Sequence, residues 1–423
     1  MQTSLRGINN KAKNDAGHRF GGIYRLLNEE NLRWSFYQLN KNASAGVDDC
    51  DWESYESDLD ENLKDLVLRL KRKSYKIKLI RRHYIPKANG KMRPLGIPAL
   101  EDKIVQYAAS KILEGIYEAN FKGFSYGYRP ALGCLDAVRQ ICSEARDRPH
   151  NWVVEADIKG FFDNLDHNWL LKMLEHRIDD RAFIRLVAKW LKAGILDNGE
   201  VIRPEAGTPQ GGIISPVLAN IYLHYVLDLW FDHRVCKQSV GSVGIVRYAD
   251  DFVCFFQKKA DAEMFYGNLP ERLEKFNLSV APEKTNLIRF SRLNPEQSKS
   301  FEFLGFEFRW KKGRYNKVRL QKRTAPKKLR KSLTDFKEWI KRTRNNKRIA
   351  DLLRIAAAKM RGHYNYFGIR GNYESINTFY YYGRCALFKW LNRRSQKRSY
   401  NWTGFIELLN CIRFPKPKIS HFV

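Results

Sequence analysis

The sequence predicts an α+β fold, with mostly antiparallel sheet in its middle and helices towards both ends. Three observations predict it. The run Ile245-Val246-Arg247-Tyr248-Ala249-Asp250-Asp251-Phe252-Val253-Cys254-Phe255-Phe256 sets β-branched and aromatic residues on both sides of an acidic pair, so it reads as a β-hairpin turning at the two aspartates. The segment from Arg81 to Pro98 carries Asn89-Gly90, a strong hairpin-turn signal between two strands. Towards the ends, apolar residues recur at helical spacing, with Leu59, Leu63, Leu66, Leu68 and Leu70 in one stretch and Leu329, Leu333, Phe336 and Ile340 in another.

In chain order, residues 1 to about 75 read as helical and basic, with Tyr24-Arg25-Leu26-Leu27 opening an amphipathic stretch and the loop Ala45-Gly46-Val47-Asp48 preceding the next. After the hairpin, Ile104 through Tyr117 carries apolar residues spaced as in a core-facing helix. Trp152-Val153-Val154-Glu155-Ala156-Asp157-Ile158 reads as a short buried strand. Beyond it Phe161-Phe162-Asp163-Asn164-Leu165-Asp166-His167, then Leu170, Met173 and Leu174, predict a turn and an amphipathic helix capped by Asp166. Asp163 and Asp166 are structural in this reading. Gly207-Thr208-Pro209-Gln210-Gly211-Gly212 allows close backbone approach to a ligand, and a helix opens near Ser215-Pro216. Phe301-Glu302-Phe303-Leu304-Gly305-Phe306 alternates like a half-buried hairpin. The helix around Leu329 presents a basic face; a second runs from Ile349 to Met360; a third carries Phe379, Tyr380, Leu387, Trp390 and Leu391, before a short basic tail.

The formal net charge of +30 over 423 residues implies polyanionic partners and a salt-sensitive affinity. From Phe301 to Val423 there are 31 Lys and Arg against 7 Asp and Glu, so most of the excess is C-terminal. The length predicts about two to three domains. Seven cysteines without a CxxC pair form neither a disulfide framework nor a zinc site, and the expected setting is a reducing cytoplasm. No signal-peptide pattern or membrane-length apolar span is expected to bring a membrane partner.

Asp157 ends one apolar run and Asp250-Asp251 tip another. Carboxylates converging from two strands are costly to desolvate unless paired or bound to a cation. Mg²⁺ fits: it takes oxygen ligands, commonly one or two carboxylates plus substrate phosphates. Two such ions can hold the attacking and leaving oxygens of an in-line phosphoryl displacement, which is the chemistry of nucleotide addition. By themselves, the two aspartates read equally as a polar hairpin turn. In the same way, Lys87 and Arg93 flank Asn89-Gly90 on neighbouring strands, where they either face a triphosphate or belong to a solvated basic hairpin.

Tyr248-Ala249-Asp250-Asp251, Asp157-Ile158-Lys159-Gly160-Phe161-Phe162-Asp163-Asn164, Gly207 to Gly212 with its Ser215-Pro216-Val217-Leu218-Ala219-Asn220 continuation, and Phe124-Ser125-Tyr126-Gly127-Tyr128-Arg129-Pro130 together resemble reverse transcriptases, most closely the group II intron type. The resemblance covers nearly the whole chain. It implies a right-hand polymerase: an N-terminal extension at residues 1–75, fingers and palm at 76–310, and a helical thumb or maturase-specific X domain at 311–423. It makes Asp157, Asp250 and Asp251 catalytic and, with the Ile158 carbonyl, ligands of two Mg²⁺ ions, for which Mn²⁺ is a substitute.

The resemblance also assigns nucleotide contacts to Lys87, Arg93, Phe161, Gln210 and Lys284, with Phe161 a steric gate against a 2′-hydroxyl. The alternative readings are an ordinary core phenylalanine for Phe161 and a surface lysine for Lys284. Tyr248, Gly211, Leu304, Gly305, Arg323, Lys327 and Lys328 fall on template and primer positions, and Arg129 on a positioning one. The implied function is RNA-directed DNA synthesis on a structured RNA template, from a DNA or RNA primer and dNTPs, in a maturase that also binds its intron RNA and assists splicing. A domesticated anti-phage polymerase copying a dedicated non-coding RNA, and an RNA-binding splicing factor with vestigial polymerase activity, are the alternatives. The intact acidic triad and Gly207–Gly212 motif argue against the last. No Cys/His-rich endonuclease module follows the tail, so autonomous nuclease-driven mobility is not expected.

Overall fold

The computed structural model of the chain describes residues 2–86, 92–208, 211–395 and 399–422. In chain order the strands are β1 (Ile80–Pro86), β2 (Met92–Ile97), β3 (Trp152–Ala156), β4 (Ile195–Asp197), β5 (Glu200–Ile202) and β6 (Val243–Tyr248). They continue with β7 (Asp251–Phe256), β8 (Asn286–Arg289), β9 (Phe301–Phe303), β10 (Phe306–Lys312) and β11 (Val318–Thr324).

The central sheet has the order β6-β7-β3-β8, with every pairing antiparallel. Its strands are apolar almost throughout because both faces are covered. Val154, Ala156, Phe252, Cys254 and Phe256 face one buried cluster, which extends through the helices Ser215–Leu223 and Leu100–Tyr117 to Leu32, Phe36 and Leu63 near the N-terminus. Val153, Val246, Val253 and Phe255 face a second cluster, shared with Phe301 and Phe308, the helix Cys134–Arg146 and the C-terminal helices. Strand alternation puts Asp157 on the face of Val153 and Asp251 on the face of Val253, at the edge of that second cluster.

A second sheet, β2-β1-β4-β5, combines two antiparallel pairings with a parallel one between β1 and β4. β1 and β2 flank the Asn89-Gly90 turn, which lies outside the described residues. The third sheet, β11-β10-β9, is antiparallel and joins the central region to the helices Pro326–Thr343, Ile349–Phe367 and Tyr373–Leu391. Their apolar faces meet through Phe336, Phe379, Met360 and Leu387.

Local chemistry fixes the helix ends. Asp166 accepts from the Trp169 amide at 2.8 Å, the cap expected of it. Near the N-terminus, Tyr24-Arg25-Leu26 forms only a short 3₁₀ turn, and the amphipathic helix runs from Glu29 to Gln38 behind an Asn28 cap. The basic tail contains a helix that its charge concealed, Trp402–Cys411, with Asn401 accepting from the Gly404 amide.

Candidate active site

Tyr248 pairs with Asp251, so Ala249 and Asp250 alone make the turn between β6 and β7. Ala249 has φ of +58°, whereas Asp250 is not in the positive-φ region. Positive φ at only the first loop residue is the signature of a type II′ hairpin, where glycine is usual and alanine is strained by about 1 kcal/mol. The turn holds Asp250 and Asp251 at the rim of the central sheet. Asp157 reaches them from β3, whose pairing continues past the strand: the Ala281 amide donates to the Asp157 carbonyl and the Lys159 amide to that of Ser279.

Lys284, on the 3₁₀ turn Pro282–Lys284, places Nζ 2.5 Å from Asp157 Oδ2. Burial is the main force raising the Asp250 carboxyl, followed by the negative charge of Asp157; Arg93 and Lys284 oppose it. Asp251 is pushed up to about 6, first by burial and then by Asp250 and Asp157. Glu155, one side-chain repeat behind Asp157, is pushed up to about 7 by burial, which the Glu302 backbone opposes and the charges of Glu302 and Asp251 reinforce. Among the described residues, the rim therefore carries more negative charge than Arg93 and Lys284 offset.

That excess fits a divalent cation. Among the described residues no group of three or more His, Cys, Asp or Glu side chains is drawn together as a ready-made cage. Lys284 occupies one oxygen of Asp157, and carboxylates from only two strands face the rim, an open arrangement of the kind Mg²⁺ uses when substrate phosphates complete its shell.

The surrounding segments lock onto this rim. Gly207 has φ of +86°, and a Cβ there would lie 2.7 Å from the Asp163 carbonyl, so only glycine fits. The Gly207 amide donates to Leu165 O, that of Thr208 donates to Phe162 O, and Gly207 O lies 2.7 Å from His167 Nε2. Gly211 packs against Leu95 and Gly96 of β2. Arg93, exposed on β2, acts electrostatically on Asp250 and Tyr128. Lys87 and Gln210 lie outside the described residues. Phe161 is 2 % exposed, with its ring against Phe162 and Tyr222 in the core.

Leu304 and Gly305, both at positive φ, form a two-residue turn between β9 and β10. Arg323 pairs with Glu307 across β11 and β10, and Lys327 and Lys328 stand exposed in the first turn of the helix Pro326–Thr343.

Residues 85–308 match the family described as "Reverse transcriptase (RNA-dependent DNA polymerase)". The chain is 31 % identical to the group II intron-encoded protein LtrA of Lactococcus lactis subsp. cremoris, over 91 % of this chain and 76 % of LtrA. The chain is a group II intron-type reverse transcriptase. It is also 36 % identical to protein YkfC of Escherichia coli strain K12, over 57 % of this chain and 69 % of YkfC. A putative COX1/OXI3 intron 2 protein of Saccharomyces cerevisiae is 38 % identical over 38 % of this chain and 18 % of its own length.

The reverse transcriptase braces its acidic turn with residues that the motif reading passed over. Arg247, fully buried, donates twice to Asp228 (2.7 and 2.5 Å) and also to Asn220 Oδ1 and the Ala249 carbonyl. Asp228 closes a π-helical segment, His224–Asp228, that continues the helix from Ser215; such segments are rare and concentrate at functional sites. Asn220 Nδ2 donates to Gly127 O at 2.7 Å. A Cβ on Gly127 would lie 2.3 Å from the Ala249 nitrogen, so Gly127 lets its loop lie directly on the turn.

Ser125 bridges Arg247, adding the Phe124–Tyr126 stretch to the sheet edge. Arg129 anchors that loop, paired with Glu118 and donating to the carbonyls of Lys122 and Ser125. On the opposite side, Cys134 at the first position of its helix lies beside the hydroxyls of both Tyr248 and Tyr366, and Tyr366 donates to Leu304 O at 2.9 Å. A charge inside an otherwise apolar strand is the signal that singles out Arg247, because such a group must be paired.

Proposed function

We propose that the enzyme is a right-hand polymerase that copies RNA into DNA by two-metal nucleotidyl transfer and also binds its intron RNA as a maturase. Residues 1–75 serve as the N-terminal extension, 76–310 as fingers and palm around the β2-β1-β4-β5 and central sheets, and 311–423 as the helical thumb. The reading rests on one observation above all: Asp157 and Asp251 share one face of the central sheet, with Asp250 beside them and only partly compensated charge.

Asp157, Asp250, Asp251 and the Ile158 carbonyl would hold two Mg²⁺ ions, which when bound neutralise charge on the attacking and leaving oxygens. The primer 3′-oxygen attacks the α-phosphate of the dNTP and pyrophosphate leaves. Arg93 and Lys87 steady the triphosphate from the fingers, Arg with a planar fork and Lys with a point charge. Lys284, held on Asp157, would turn to the charge developing on the pyrophosphate once Asp157 carried a cation. Gln210 and Gly211 line the templating base pair, whereas the Phe161 ring, buried against Phe162 and Tyr222, fits the core residue better than the sugar gate. Tyr248, Leu304 and Gly305 support the primer end, and Arg323, Lys327 and Lys328 carry the duplex backbone.

The test of role is to purify the protein from its native cell and sequence the RNA and cDNA bound to it. Intron RNA spanning its own gene supports the maturase reading. A short non-intron RNA with its cDNA copy replaces it with the defence polymerase.

A further inference from the structure

Away from the acidic rim, a cleft of about 780 Å³ gathers cations from four separate parts of the chain. Arg146 ends the helix Cys134–Arg146, Arg292 follows β8, Arg319 and Lys322 lie on β11, and Arg370 sits between the helices Ile349–Phe367 and Tyr373–Leu391. Among the described residues Asp147 is the one acid on its wall. Arg292, Arg319 and Arg370 are exposed, and among the described residues none of them has a carboxylate partner. Lys322 is 7 % exposed. A run of charge along one helix is ordinary solvated surface, whereas this cluster is built by tertiary folding, against like-charge repulsion. Burial and the neighbouring Arg146 and Arg370 push the Lys322 amine below its ordinary value.

Two rulers separate the cleft from the chemistry. Along the helix Cys134–Arg146, Cys134 lies beside Tyr248 at one end, and Arg146 lies about 18 Å further on at 1.5 Å per residue. Along β10, Trp310 stands six residues past Leu304, about 20 Å at strand rise. Trp310 lines the cleft and is 6 % exposed, and its indole N–H has no acceptor among the described residues. Phe422, 80 % exposed, forms one lip and offers a ring on which a base can stack.

We propose that this cleft, at the junction of the central sheet and the C-terminal helices, is a phosphate-binding site that holds a single-stranded RNA segment outside the polymerase cleft. Arginine forks matched to phosphate oxygens, a buried cation and an exposed aromatic lip suit that ligand. The site is independent of the catalytic assignment, because none of its residues belongs to the acidic rim or the nucleotide contacts.

The test uses the full chain with its polymerase cleft filled by a chain-terminated primer–template and the next dNTP. A labelled single-stranded RNA is titrated by anisotropy at several salt concentrations, with sodium tripolyphosphate as competitor. The variant is Arg292→Glu with Arg319→Glu and Arg370→Glu, all surface positions, checked by circular dichroism and by primer extension on short substrates. The expected result is about tenfold weaker RNA binding in the variant and a salt slope smaller by about two, from three lost phosphate contacts. If the variant loses tripolyphosphate but binds RNA as the wild type does, the phosphate chemistry stands and its source is a free polyphosphate. If neither ligand distinguishes the two proteins, including when an acidic protein partner does, the proposal is overturned. Loss of polymerisation in a rim variant leaves all of these outcomes unchanged.

Discussion

Arg247 shows at the residue scale how the acidic turn is held. Its guanidinium is fully buried and depends on Asp228 for its charge. Removing one partner of such a pair leaves an uncompensated buried charge, so Asp228→Asn should cost about 3–5 kcal/mol in denaturant unfolding. A loss under about 1 kcal/mol would show that the pair is dispensable. Lys284 is a different case: its ammonium is largely exposed, so Lys284→Ala should leave stability nearly unchanged while lowering kcat on the order of 10²-fold. An unchanged kcat would return Lys284 to the surface. The acids were legible because each stands at the tip of an apolar run. Arg247 stands in the same run, but its partner lies 19 residues away on a different element, and nothing local in the sequence names it.

At the scale of elements, the acidic turn and the Leu304–Gly305 turn converge through two tyrosines. Cys134 lies beside both Tyr248 and Tyr366, and Tyr366 holds the Leu304 carbonyl of the Leu304–Gly305 turn. Tyr366→Phe should cost about 1 kcal/mol of stability and raise the KM for primer more than it lowers kcat. A change confined to stability would make Tyr366 a packing residue only. The hairpins were legible because β-branched and aromatic residues alternate around turn signals. Less legible were the parallel β1–β4 pairing, which joins residues more than a hundred positions apart, and the helix Trp402–Cys411, whose apolar face is short and set among lysines and arginines. Both are settled by packing partners that local periodicity does not carry.

For the whole molecule, one core runs from the N-terminal helices through the central sheet and another from that sheet into the C-terminal helices. Burial in these cores holds the imidazoles of His224 and His363 at about 4, against an ordinary 6.5. The unfolded chain therefore takes up protons below pH 6.5 that the folded chain refuses until about 4, so these residues remove stability as pH falls through that window. Raised acids such as Asp102, at about 6, act oppositely, but they are common to wild type and variant. His224→Gln with His363→Gln should accordingly lose less Tm than wild type between about pH 7 and pH 5; equal losses would contradict the assignment. The excess of positive charge and the acidic rim, both readable in the sequence, meet in one function that a single measurement tests. It is primer extension on an RNA template by Asp250→Ala with Asp251→Ala, alongside RNA binding by the same protein. The account predicts that DNA synthesis is abolished while RNA affinity is retained; a double variant that still extends the primer would contradict it.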